Sequence, residues 1–190
     1  MNVIHINRRG DTYYLHQGIT KKGNPKYYFS RNDEGSLVGS VPEGYEIYEN
    51  PNAQVFLRRI SSFVFTEEEI AIVRNSVKDL SALKDFKIDI KRNAIIVFEP
   101  DQDLDSLAKT ISFYSGQDRA EIKRMLDSTI THSPTMRFVL ADEKEREFQV
   151  QRMCYVGPDG DWLFLGTGDL ESLAKEYCYH LGRGSFYELL

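Results

Sequence analysis

Residues 136–165, MRFVLADEKEREFQVQRMCYVGPDGDWLFL, carry the reading that decides the fold class. Two apolar runs, Met136–Leu140 and Glu147–Val156, flank the tip Asp142–Arg146, in which every residue is charged. A third run, Trp162–Leu165, follows the turn signal Gly157-Pro158-Asp159-Gly160. Strands joined by connections this short pair antiparallel, because a parallel neighbour needs a long crossover.

The same pattern extends upstream. Phe86, Ile88 and Ile90 alternate with Lys87, Asp89 and Lys91, Arg92-Asn93 turns the chain, and Ile95–Phe98 is a continuous apolar run suited to a central strand. Thr66-Glu67-Glu68-Glu69 reads as a capping box, and Ile70, Val73, Val77 and Leu80 follow at helical spacing, which predicts a helix over 67–79. Further helices are expected over 102–114 (Leu104, Leu107, Ala108, Ile111, stopped by Gly116), from Asp118 (Ile122, Met125 and Leu126 inward), and over 170–181, stopped by Gly182.

Residues 1–60 read as strands and turns. Thr12–Gln17 and Lys26–Arg31 are separated by Gly18–Pro25, a weak third strand is expected at Ser36–Ser40, and Tyr45–Glu49 pairs with Gln54–Arg59 across Asn50–Ala53. The expected fold is therefore α+β with mostly antiparallel sheets: a strand-rich N-terminal lobe, 1–60, followed by a mixed helix and strand lobe, 61–190, packed as one unit.

Charge is distributed unevenly. Through residue 31, six cations (Arg8, Arg9, Lys21, Lys22, Lys26, Arg31) face one acid, Asp11, a balance of +5; the rest holds 18 basic and 28 acidic residues, a balance of −10. Tyrosines and a phenylalanine are interleaved with the cations, and alternation sets Tyr13 and Leu15 on one strand face, Tyr14 and His16 on the other. Cations neutralise phosphate or carboxylate while tyrosines stack, so Lys21, Lys22, Lys26, Tyr14, Tyr28 and Arg31 are the candidate binding residues. The expected partner is an acidic protein or a nucleic acid, and the expected function is non-catalytic binding. The competing bland reading makes half of these aromatics the core face of a meander and the lysines a solvated edge.

Catalytic and metal signals are weak. Lys21-Lys22-Gly23-Asn24 lacks Walker spacing, no G-x-G-x-x-G or G-x-S-x-G occurs, and Cys178 and His180 lie two apart on a helix. Asp101, Asp103 and Asp105 lack the glycine and glutamate of a calcium loop and suit a helix N-terminus instead. No catalytic residue, metal ligand or cofactor is assigned. A hydrolase or nuclease-like enzyme is the second hypothesis: His132, in a polar loop, would share an anion site with Arg137 and Arg152 if adjacent strands set both arginines on one face. Cross-strand pairing of Arg137, Arg146 and Arg152 with Glu143, Glu145 and Glu147 is the structural use of the same hairpin. Third, the acidic part could mimic nucleic acid, as an inhibitor or immunity-type protein does.

The chain lacks an export signal and an apolar run long enough for a membrane span, and Cys154 and Cys178 read as reduced, buried thiols, so a cytoplasmic location is expected. The terminal Ser185–Leu190 should close a core or join a partner. Finally, Thr20-Lys21-Lys22-Gly23-Asn24-Pro25-Lys26-Tyr27-Tyr28-Phe29 and Val41–Pro51 resemble a conserved hypothetical bacterial protein type. The resemblance covers part of the chain, implies no activity, and transfers no functional residue.

Overall fold

The computed structural model describes residues 2–60, 64–155 and 160–189. In chain order the elements begin with β1 (Ile4–Ile6), β2 (Thr12–Ile19), β3 (Pro25–Ser30), β4 (Tyr45–Glu49), β5 (Val55–Arg59), α1 (Glu67–Leu80), β6 (Lys87–Lys91) and β7 (Ala94–Pro100). There follow α2 (Leu104–Ser115), α3 (Arg119–Thr129), β8 (His132–Asp142), β9 (Glu147–Cys154), β10 (Asp161–Gly168), α4 (Leu170–Cys178) and a closing 3₁₀ turn, Gly184–Glu188. Every strand pair is antiparallel, and the fold is α+β. Contacts divide the chain into two units: Met1–Ser61 with Asp105–Ile130, and Ser62–Leu104 with Thr131–Leu190.

The second unit is built on a five-stranded meander in the order β10-β9-β8-β7-β6. Alternation fixes its two faces. Ile95 and Val97 of β7, Met136 and Phe138 of β8, and Phe148 and Val150 of β9 join Val73 and Val77 of α1 and Leu170, Leu173 and Ala174 of α4 in the main core. Ala94, Ile96 and Phe98 point the other way and pack with Val139 and Trp162. A strand buried on both faces reads as an unbroken apolar run, which is why residues 94–98 lack alternation. Phe138, fully buried, contributes about 1.5–3 kcal/mol by burial alone.

Helix α1 starts as its sequence dictates. The Thr66 amide donates to Glu69 Oε2 at 2.8 Å and the Glu69 amide donates to Thr66 Oγ1 at 3.2 Å, closing the capping box. Glu69 has a second duty: its carboxylate accepts from the Arg146 guanidinium, with Nε at 3.0 Å and Nη2 at 2.6 Å from Oε1, and Arg146 Nη2 also donates to the Val64 carbonyl at 3.0 Å. The tip of the β8–β9 hairpin is thereby fastened to the N-terminus of α1.

In the first unit, β1-β2-β3 form one sheet and β4-β5 a hairpin. The β4–β5 turn is closed by Asn50, whose Oδ1 accepts from the amides of Asn52 and Gln54. In α3, Asp118 accepts from the Glu121 amide at 2.9 Å and Ile122 is buried.

Several expectations need correction. Ser36–Ser40 is no strand; Leu37 makes a single bridge to His16. Met125 does not face inward but is 54 % exposed, because the short α3 buries Ile122 alone among its residues. His132 lies in no loop: it opens β8 and is buried. Cys178 is buried but Cys154 only half so, and both are free thiols. Phe186 of the terminal segment is buried in the main core, whereas Tyr187 is exposed. The turn residues Gly157, Pro158 and Asp159 and the terminal Leu190 lie outside the described residues.

Candidate functional site

The β2–β3 register sorts the candidate residues onto faces. Tyr14 lies opposite Ser30, His16 opposite Tyr28 and Gly18 opposite Lys26, so Tyr14, Tyr28 and Lys26 share one face of the sheet. The Tyr28 ring stacks on His16, with centroids 5.3 Å apart and planes 12° apart, and its edge passes over Gly18, where an added Cβ would sit 3.4 Å away. Tyr28 keeps 44 % of its surface exposed.

Lys21 and Lys22 occupy the connecting turn. There the Thr20 amide donates to the Asn24 carbonyl at 2.8 Å, the Asn24 amide donates back to Thr20 Oγ1 at 3.1 Å, and Gly23 adopts φ +82°. That left-handed residue, which glycine takes without a Cβ clash, is what lets the turn close so tightly. Lys21, Lys22 and Lys26 are all exposed, and among the described residues none of them has an ion-pair partner.

The arginines behave differently. Arg31, five residues beyond Lys26 and so about 16 Å away along an extended chain, is on the other face. Its Nη2 donates to Asp11 Oδ2 at 2.8 Å, and its guanidinium lies 5.5 Å from the Tyr13 ring centroid. Arg8 Nε reaches Glu49 Oε1 at 2.6 Å. Burial pushes the Glu49 carboxyl up, but bonds from the Arg8 amide, His5 and the Arg8 side chain outweigh it and leave the group below its ordinary value. Arg9 donates to the Ile130 carbonyl at 3.0 Å. The six cations therefore do not form one patch; the lysines gather at the hairpin turn, and two of the arginines are neutralised elsewhere.

The face carrying Arg31 is the packed one. Leu15 is fully buried there, His5 meets Phe29 edge-on at 6.5 Å, and Tyr27 meets Tyr45 of β4 at 6.2 Å. Tyr13, Tyr27 and Phe29, half-buried, thus share the packed face, and Tyr14 and Tyr28 lie on the lysine side. The sequence reading also missed β1, whose three residues are too few to display an alternation. Its Ile4, opposite Tyr14, and Ile6 are 54 % and 65 % exposed on the Tyr28 face, and Ile19 beside the lysine turn is 77 % exposed.

His132, Arg137 and Arg152 do not converge. Arg137 lies opposite Ile96 and Gln151, donates to Gln151 Oε1 at 2.7 Å and stacks 4.2 Å from the Trp162 ring. Arg152 lies opposite Met136 and donates to the Leu189 carbonyl at 2.9 Å, beside Phe186. One register step separates the two partners on β8, so the arginines project from opposite faces of the sheet, not from the same face. Among the described residues Arg137, Arg146 and Arg152 do not bond the hairpin acids Glu143, Glu145 and Glu147: Arg146 turns to Glu69 instead. Some acidic side chains are paired with cations, as in Glu46–Arg58, Lys175–Glu171 and Lys123–Asp105.

Among the described residues, no helix is long and apolar enough to cross a membrane. Comparison with protein-family models, with curated proteins and with solved structures finds no match to this chain.

Proposed function

We propose that this chain is a non-catalytic binding protein that presents the lysine end of the β2–β3 hairpin to an acidic or phosphate-bearing partner. One observation carries the reading: Lys21, Lys22 and Lys26 stand exposed and without ion pairs at one hairpin end, beside the half-exposed Tyr28 ring, while Arg8 and Arg31 are already paired. Charge left uncompensated at a surface costs nothing to strip of a protein partner before an anion is bound, and it attracts that anion at a distance. The exposed Ile19, which leads into the turn, supplies apolar area next to it.

Fluorescence anisotropy with two labelled probes, a polyglutamate peptide and an oligothymidylate, tests this. Wild type should bind one of them, and the K21E/K22E/K26E variant should lose that binding with an unchanged melting temperature. R31E should bind as wild type does. Binding that survives the triple charge reversal, or no binding to either probe, would end the proposal.

A further inference from the structure

Tyr14, Tyr28 and Lys26 share the face of the β1-β2-β3 sheet that leads to the lysine turn, with Tyr28 and Lys26 two residues, about 7 Å, apart along β3. Tyr28 covers His16. The two rings lie 12° from parallel, and His16 keeps 4 % of its surface while Tyr28 keeps 44 %. His16 is itself held, its Nε2 donating to the Asn32 carbonyl at 2.9 Å. The edge of the Tyr28 ring rests on Gly18, where Cε1 lies 3.4 Å from the place of a Cβ, so a longer side chain there would displace it.

The ring is thus set in place before any ligand arrives, backed on one side and open on the other. Among the described residues Tyr28 makes no second ring contact, and its hydroxyl makes no hydrogen bond. Asp33 and Glu34, the acids of the segment that follows β3, pair with none of the three lysines. An acidic peptide would use those lysines alone. A single strand of nucleic acid would use the ring as well, because its phosphates suit the cations and each of its bases has a face to stack. In a duplex those faces are already stacked on one another.

We infer, resting on the lysine-turn reading above, that the partner is a single-stranded nucleic acid, with one base stacked on the open face of Tyr28 and the adjoining phosphates on Lys26, Lys21 and Lys22. The pre-set ring lowers the cost of ordering the contact.

Fluorescence anisotropy compares three labelled probes: oligothymidylate, the same sugar-phosphate strand without bases, and polyglutamate. Oligothymidylate should bind about tenfold more tightly than the abasic strand, the scale of one stacked base. Its affinity should fall with salt at a log–log slope of about −2, from three phosphate contacts at about −0.7 each. Y28L, which keeps apolar cover over His16 and removes the ring, should bind both strands alike with that slope unchanged, and Y28F should match wild type. Should Y28L fold poorly, the comparison of the two strands on wild type still decides. Equal affinity of wild type for the strands with and without bases, or a preference for bases that survives Y28L, would overturn the stacked base and leave the lysine turn standing. Polyglutamate bound in place of oligothymidylate would end the nucleic-acid inference alone. Oligothymidylate binding that survives K21E/K22E/K26E, or no binding to any probe, would remove the lysine-turn reading and this inference with it.

Discussion

Arg146 holds a left-handed backbone conformation, φ +50°, at the turn of the β8–β9 hairpin, and its side chain fastens that turn to Glu69 and Val64. These two facts pull substitutions in opposite directions. Replacement by alanine keeps the unfavourable backbone and loses the bonds. The Arg146 side chain is 36 % exposed and that of Glu69 14 %, so solvent screens the pair in part. Its worth falls between an exposed ion pair, about 0–1 kcal/mol, and a charge-assisted bond, about 1.5–3 kcal/mol. R146A should then cost about 2 kcal/mol, or roughly 4–8 °C in a chain of this size. Replacement by glycine loses the same bonds but removes a left-handed penalty of about 1–2 kcal/mol, offset by about 0.4–1 kcal/mol of added unfolded-chain entropy. The expected order is wild type, then R146G, then R146A, with glycine ahead of alanine by about 0.5–1 kcal/mol. E69Q, which retains a capping-box side chain and drops the charge, should fall near R146G. Urea unfolding read through Trp162, the single tryptophan, reports on the unit that contains all of these residues. Alanine as stable as glycine would refute the backbone argument. A loss below about 0.5 kcal/mol for both variants, the range of ordinary surface changes, would refute the fastening.

Two further outcomes follow from burial. Glu99 binds its proton more tightly in the folded chain than in the unfolded one, so its contribution to stability is full below the unfolded carboxyl's range and is lost as pH rises through the raised folded value; wild type measured against E99Q should show that extra decline, and parallel stability curves would exclude it. The Cys178 thiol, pushed up to about 12 by burial, should resist iodoacetamide in the folded protein while the half-buried Cys154 reacts, and the two should react alike in denaturant; labelling of Cys178 first would contradict its placement.

The sheet and helices were legible because their signals are local. The alternation at 86–98, the charged tip at 142–146 and the box at 66–69 each depend on residues within a few positions of one another, and the strands and helix they predict are present. Failures occur where a distant contact decides. His132 looks like a loop residue because Ser133 and Pro134 surround it, yet pairing with Pro100 across β7 makes it the first residue of a strand. Arg137 and Arg152 are separated by a hairpin whose loop length fixes the register, and a shift of one residue inverts which face each occupies. A hollow lined by Leu83, Asp85, Glu99, Asp103 and Gly182 has no sequence signature at all, since its walls come from three separate connections, after α1, between β7 and α2, and after α4.

Charge shows the same division between what is local and what is not. Counting cations to residue 31 gives the correct total but treats each as equally available. Availability depends on which carboxylates the fold brings near, and Glu49, 41 residues from Arg8, is invisible to that count. The lysines escape pairing for a structural reason. Lys21 and Lys22 occupy a turn, and opposite Lys26 the strand β2 presents Gly18, which has no side chain to pair with it. Arginine and lysine therefore divide the labour: Arg8 and Arg31, with planar groups suited to two-point bonding, tie down Glu49 and Asp11 at the surface of the first unit, and the lysines remain as its uncompensated charge. If a partner engages this chain through electrostatics, swapping Arg31 for lysine should disturb the contact with Asp11 and Tyr13 and leave partner binding as it was, whereas the reverse result would mean that the paired arginine, not the lysine turn, makes the contact.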